Sequence, residues 1–207
     1  MKEWKGNSNS AHAAIAAHLG GDKSMRQEDD FYATDPEALE KLLAHSSYYL
    51  HNMFCNRPII WEPACGNGNL ALVLDKHDLP TFASDLKDRG YGVGNVDFLH
   101  NNNFIDTQII LTNPPYSLAT EFIEHALDIL PDGGLYIALM NITYLAGQKR
   151  YQRVYSKGSL REIYVFSKRI ECWKNGERPK DKCGSIASYA WYVFQKGYNG
   201  QPTLYWL

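Results

Sequence analysis

Asn113, Pro114, Pro115 and Tyr116 follow an apolar run, Ile109-Ile110-Leu111, that reads as a buried strand. The tetrapeptide therefore falls at the carboxyl end of a strand, where open parallel α/β sheets bind their ligands. Two consecutive prolines hold φ at about −65° and carry no N–H, so the turn is stiff and its carbonyls stay free to accept. The Asn113 amide oxygen and the Pro114 carbonyl can then accept from one –NH2 group, and Tyr116 offers a ring for stacking. This is a clamp for a planar exocyclic amine such as N6 of adenine. The nitrogen of such an amine is a weak nucleophile, because its lone pair is delocalised into the ring. Hydrogen bonds from both of its protons favour a tetrahedral nitrogen and free the lone pair.

A second group of residues suits a cofactor. Glu62-Pro63-Ala64-Cys65-Gly66-Asn67-Gly68-Asn69 follows the strand-like Pro58-Ile59-Ile60-Trp61. Gly66 and Gly68 let the backbone approach a ligand with no Cβ in the way. A Walker loop is excluded, because Gly-Lys-Ser/Thr is lacking. Ala71 stands at the third position of a dinucleotide fingerprint, so spacing alone leaves a dinucleotide open. Glu62, an acid just before the turn, suits a cationic ligand better than a pyrophosphate. Asp85 closes the next strand, Thr81 to Ser84, where a carboxylate can accept from both ribose hydroxyls. Asp97-Phe98, expected at a third strand end, would receive an adenine. Together these residues describe a site for an adenosine that carries positive charge.

Strands and helices must bring these groups to one edge. Apolar runs at Leu135–Met140, Arg161–Phe166 and Tyr189–Phe194 add three strands to those already named. Helical spacing marks Leu39, Leu42 and Leu43 after an Asp35-Pro36 start, then Leu70 to Leu74, then Ala119 to Leu130. This alternation predicts an α/β chain with a mostly parallel sheet, helices on both faces and an antiparallel edge. Residues 1–28 are small and polar and read as a mobile N-terminal arm, leaving 29–207 as one domain.

Composition narrows the partners. Four cysteines form no CxxC pair and seven histidines are scattered, so no metal site is expected and the thiols read as reduced, in the cytoplasm. No apolar run reaches the roughly 20 residues of a membrane span, so no membrane partner is expected. Net charge is −2, yet residues 1–140 hold 9 Lys and Arg against 19 Asp and Glu, and residues 141–207 hold 12 against 4. The basic stretch at about 141–184 is interleaved with aromatics, as a polyanion-facing surface would be. Lys149, Arg150, Arg153, Lys168 and Arg169 are the candidates there for holding phosphates.

In this order and spacing the chain resembles the S-adenosylmethionine-dependent DNA adenine-N6 methyltransferases of the compact phage and prophage kind, over residues 30–207. The resemblance implies a Rossmann-like class I methyltransferase fold with a seven-stranded sheet. It implies that Phe31 to Pro36, including Tyr32 and Thr34, contacts the methionine end of the cofactor. Glu62 to Gly68, with Ala64, would be the cofactor turn and Asp85 the ribose carboxylate. Asp97-Phe98 would be the adenine pocket, and Asn113 to Tyr116 the catalytic motif, with Asn113 also beside the cofactor. Tyr189 to Tyr198 resembles the closing strands of these enzymes. Large members carry a separate target-recognition domain for which this chain has no room. Recognition would fall to residues 141–184, over a short or relaxed target site. The clamp also fits an RNA methyltransferase acting on adenine N6 or guanine N2, a cytosine-N4 enzyme, and a protein glutamine-N5 methyltransferase. From another class, a non-catalytic nucleic-acid-binding partner would keep the fold without the polar set.

Overall fold

The computed structural model describes residues 32–101, 106–170, 172–174 and 188–207. In chain order its elements are β1 (Tyr32–Thr34), α1 (Glu37–His45), α2 (Tyr48–Cys55), β2 (Ile60–Glu62), α3 (Asn69–Lys76) and β3 (Thr81–Ala83). Next come β4 (Ile109–Thr112), α4 (Ala119–Ile129), β5 (Leu135–Asn141) and α5 (Gln148–Arg153). The last are β6 (Leu160–Val165), β7 (Cys172–Lys174), β8 (Tyr189–Gln195) and β9 (Thr203–Trp206).

Seven strands form one sheet in the order β3-β2-β4-β5-β8-β6-β9. The pairs β3–β2, β2–β4 and β4–β5 are parallel, so their carboxyl ends share one edge. β8 runs against both β5 and β6, and β9 returns parallel to β6. The expected antiparallel pairing is thus made inside the sheet rather than at its rim. Apart from that strand the sheet runs one way, and β6 also delivers its carboxyl end to the shared edge.

The apolar runs form strands because both faces of the sheet are covered. Along β4, Ile109 and Leu111 face one core with Leu39, Leu42, Leu74 and Trp191, while Ile110 faces the other with Trp61, Phe122 and Tyr136. Each fully buried side chain of this size contributes about 1.5–3 kcal/mol of transfer free energy. The Trp191 Nε1–H donates to the Ala38 carbonyl at 2.9 Å, which ties β8 to α1 across the first core. Asp35 accepts from the Glu37 N–H at 3.0 Å and starts α1 as the Asp-Pro signal predicts.

Three features depart from the sequence reading. α2, β9 and β7 carry no strong pattern of their own. β1 and β7 form a separate antiparallel ribbon, with Thr34 opposite Cys172. After β3 the chain makes a single parallel bridge, Ser84 to Val93, in place of a further strand, and Asp97 opens a 3-10 turn over Phe98–His100. The arm expected at residues 1–28 lies outside the described residues. Among the described residues no helix is long and apolar enough to cross a membrane, and no group of three His, Cys, Asp or Glu side chains could hold a metal ion.

Candidate active site at the carboxyl edge of the sheet

Asn113 leaves β4 at the shared edge and is caught at once by β1. Its side-chain nitrogen donates to the Tyr32 carbonyl at 3.2 Å and to the Thr34 hydroxyl oxygen at 2.9 Å. A carbonyl can only accept, so the nitrogen must lie on the Tyr32 side and the amide has one allowed orientation. Its oxygen, Oδ1, is then left buried and without a hydrogen-bond partner. Leaving such an acceptor empty costs about 1–3 kcal/mol, which an incoming donor recovers. Among the described residues the Pro114 carbonyl also takes no hydrogen bond, while the Pro115 carbonyl accepts from Leu118 N at 2.9 Å and leads into α4. The turn therefore offers two acceptors, Asn113 Oδ1 and the Pro114 carbonyl, to an incoming donor.

Tyr116, expected as a stacking ring, is half-buried and already has aromatic neighbours. Its ring packs on Tyr32 at 6.0 Å and on Tyr189 at 6.2 Å, both nearly parallel, so its stacking contacts are made within the chain. Its carbonyl accepts from the Tyr144 hydroxyl at 2.7 Å, which fixes the far end of the turn. Burial pushes the Tyr116 and Tyr189 hydroxyls well above the usual phenol range, and burial pushes the neighbouring Cys172 thiol up to about 12. All three are neutral at physiological pH, so none is a base.

The glycine turn lies beside this clamp, at the end of β2. Gly66 and Gly68 take φ of 56° and 85°, in the left-handed region. A Cβ on Gly68 would stand 2.5 Å from the Tyr91 ring, so glycine is required there by space as well as by φ. The Gly66 N–H donates to Asp85 Oδ2 at 2.8 Å, and the Lys87 N–H to Asp85 Oδ1 at 2.9 Å. Each carboxylate oxygen keeps a lone pair for a further donor, such as a hydroxyl. Glu62 is 1% exposed, and its Oε2 has no hydrogen-bond partner. Burial first, and then the Asp85 charge, hold its carboxyl well above the usual carboxylate range, against a backbone hydrogen bond from Ala71. A buried acid with one oxygen unpartnered beside a glycine turn is matched by a cationic ligand, whose charge would let it ionise. Ala64 is half-buried within the turn.

The two halves are joined by a residue that sequence reasoning passes over. Asn69, at the start of α3, donates from Nδ2 to the Thr34 carbonyl at 2.8 Å. Tyr32, Thr34, Asn113 and Tyr116 are thus in direct contact, and Glu62, Gly66 and Asp85 form the adjoining group. Asp97 and Phe98 lie beside the second group, since the Val96 N–H donates to the Asp85 carbonyl at 3.0 Å and Ala64 packs against the core that holds Phe98. Phe98 is 2% exposed, with its ring on Trp61 at 5.0 Å and Phe122 at 4.7 Å. Asp97 is engaged by the Leu99 N–H at 3.0 Å and by His100 Nδ1 at 2.7 Å. Of the unpredicted residues Tyr91, Tyr144 and Tyr189, only Tyr91 carries a local signal, an aromatic between two glycines after Asp85.

The basic candidates divide. Lys149 in α5 and Lys168 beyond β6 are exposed, at the edge that carries Asn113, with no ion pair among the described residues. Arg169 beside Lys168 is exposed too. Arg150 is folded onto its own chain, donating to the Ala146 carbonyl and lying 4.4 Å from the Tyr144 ring centroid. Arg153 is clamped by Glu121 at 2.9 Å and Glu124 at 2.5 Å. It lines a groove of about 750 Å³ with both acids, Asp128, Lys157 and Lys196, a lining of mixed charge. Arg178, Lys180 and Lys182 lie outside the described residues, as do the side chains of Trp173 and Lys174.

No family model and no curated protein matches the chain. Solved structures do. A protein assigned as a class I S-adenosylmethionine-dependent methyltransferase from Listeria monocytogenes superposes with TM-score 0.61 at 16% identity, over 95% of this chain and 72% of that one. The type IIG restriction endonuclease BpuSI gives 0.59 at 16%, over 91% of this chain but only 28% of its own length. A protein assigned as a hemolysin from Streptococcus thermophilus gives 0.54 at 14%, over 82% and 67%. The seven-stranded sheet and these likenesses give the Rossmann-like class I methyltransferase fold.

Proposed function

We propose that this chain transfers a methyl group from S-adenosylmethionine to the N6 amino group of adenine in DNA, acting on a base turned out of the duplex. The observation that carries the reading is the Asn113 amide, whose nitrogen is held by Tyr32 and Thr34 while Oδ1 is presented as an empty acceptor. A pair of empty acceptors selects a donor, and a planar –NH2 is the donor that fills both Oδ1 and the Pro114 carbonyl. Glu62, Gly66, Gly68 and Asp85 would hold the cofactor, which fits an orphaned buried acid and a spare ribose acceptor. Tyr32 and Thr34, whose expected place is at the cofactor's methionine end, stand between the two groups. S-adenosylmethionine, when bound, supplies a methyl group already activated on a positively charged sulfur.

The protein's part is placement and oriented dipoles. Asn113 Oδ1 and the Pro114 carbonyl draw the two amine protons out of the plane of the ring, which favours a tetrahedral nitrogen whose lone pair is no longer delocalised into the ring. The same contacts hold the developing positive charge on nitrogen. The surplus proton leaves to solvent, since Tyr116, Tyr189 and Cys172 stay protonated and no side chain in contact with Asn113 is a base. Turning a base out of a duplex costs roughly a few kcal/mol. Lys149, Lys168 and Arg169 at the same edge would hold the flanking phosphates. The resemblance to compact DNA adenine-N6 enzymes favours DNA over RNA.

The test supplies methyl-labelled S-adenosylmethionine with unmethylated DNA, total RNA or a protein lysate, and reads the digested products by mass spectrometry. Label in N6-methyladenine from DNA is the expected outcome. Label only in RNA bases, in cytosine N4 or in glutamine keeps the clamp and replaces the substrate. Measurable cofactor binding with no label in any pool sinks the reading.

A further inference from the structure

We infer that Thr34 is a positioning residue, whose hydroxyl holds the Asn113 amide with its oxygen toward the substrate amine. This rests on the reading of Asn113 as the amine clamp, and it assigns Thr34 a role other than the cofactor contact its place in the chain implies. The amide nitrogen has two protons and the structure gives each an acceptor, the Tyr32 carbonyl at 3.2 Å and Thr34 Oγ1 at 2.9 Å. The carbonyl sets which way the amide faces, because it cannot donate. The hydroxyl makes the shorter of the two bonds, and with both in place rotation of the amide would break one hydrogen bond at least.

Thr34 is itself placed on three sides. Its backbone pairs with Cys172 across the β1–β7 ribbon, and its carbonyl accepts from Asn69 Nδ2 at 2.8 Å. The residue is 3% exposed, so its hydroxyl has little freedom to seek other partners. Asn69 opens the helix that follows the glycine turn. The line from Asn69 through Thr34 to Asn113 therefore fixes the catalytic amide relative to the cofactor turn without using the ligand as a bridge.

Thr34→Val keeps the shape and removes the acceptor, while Thr34→Ser keeps the acceptor. In the free protein, the Asn113 side-chain amide protons are followed by nitrogen-15 NMR. In Thr34→Val one of them should exchange with solvent at least about tenfold faster, and in Thr34→Ser neither should. With substrates present, Thr34→Val should lower kcat roughly tenfold with cofactor Kd unchanged, and Thr34→Ser should restore most of the rate. Unchanged amide exchange in Thr34→Val overturns the inference. So does a loss of cofactor affinity that accounts for the whole loss in kcat/KM, which would make Thr34 a cofactor ligand. A wild-type protein that methylates no amine removes the proposed function, and the exchange comparison still decides whether Thr34 holds Asn113.

Discussion

The candidate site at the sheet edge and the basic C-terminal region treat their polar groups in opposite ways. At the edge, Asn113 Oδ1 and Glu62 Oε2 are buried and empty, although every neighbour that positions them is itself hydrogen-bonded. In the basic region the prominent charges are spent internally, Arg153 on two glutamates and Arg150 on a backbone carbonyl and a tyrosine ring. An unsatisfied buried group costs stability and persists where a ligand is to satisfy it, whereas a satisfied surface charge contributes little to binding. The unpaired oxygens at the edge therefore make it the more specific candidate of the two regions.

The sharpest way to break that comparison is to remove the empty acceptor. Asn113→Ala should lower kcat by about 10²–10³-fold, the range for losing one preorganised polar group at a reacting centre. Cofactor affinity, measured by calorimetry, should stay near wild type. Near wild-type turnover would mean that the unpaired oxygen has no part in the chemistry.

Glu62 tests the other empty acceptor through pH. Its carboxyl is held above the ordinary value of 4.5, by burial and then by Asp85, so the folded protein binds that proton more tightly than the unfolded chain does. The stability this gives is complete below pH 4.5 and is lost as pH rises through the folded-state value. Tyr91 and Cys65 also face Glu62, and both stay protonated at neutral pH, so they do not reverse the sign. Glu62→Gln keeps an oxygen for the Ala71 N–H and has no charge to desolvate. It should match wild type in acid and melt roughly 2–4 °C higher at neutral pH, the shift made by about 1 kcal/mol in a domain of this size. The same variant should bind S-adenosylmethionine more weakly. A variant less stable than wild type at neutral pH would show that Glu62 is ionised and paired in the free protein.

Much of this edge is legible in the residue order, because strand ends and turn residues are local. Apolar runs announce six of the seven sheet strands to within a residue or two, and both motif turns fall at strand ends. β9 is missed because it is short and half-exposed, with Leu204 and Trp206 open to solvent, so no buried run marks it. α2 is missed because aromatic residues mask its period, although Ser47 caps it by accepting from the Leu50 N–H at 3.1 Å. Inside the candidate site, positions are legible where geometry is set by neighbours in sequence. They are silent where it is set at a distance. The bond from Asn113 to Tyr32 spans 81 residues, and no spacing rule announces it. Tyr116 is chosen as a stacking ring by type, and its contacts with Tyr32 and Tyr189 come from segments far away in sequence.

The smallest effects, and the ones that separate free from spent charge, belong to the basic region. Lys149→Ala and Lys168→Ala should each weaken DNA binding across sequences and reduce the slope of log K against log salt by about one, as the loss of one phosphate contact does. Arg153→Ala removes the same formal charge. It should leave that slope nearly unchanged, because Glu121 and Glu124 already neutralise the guanidinium and no counterion is released there. Equal slopes for Lys149→Ala, Lys168→Ala and Arg153→Ala would mean that DNA draws Arg153 away from its glutamates. Total positive charge, rather than unpaired charge, would then set the nucleic-acid face.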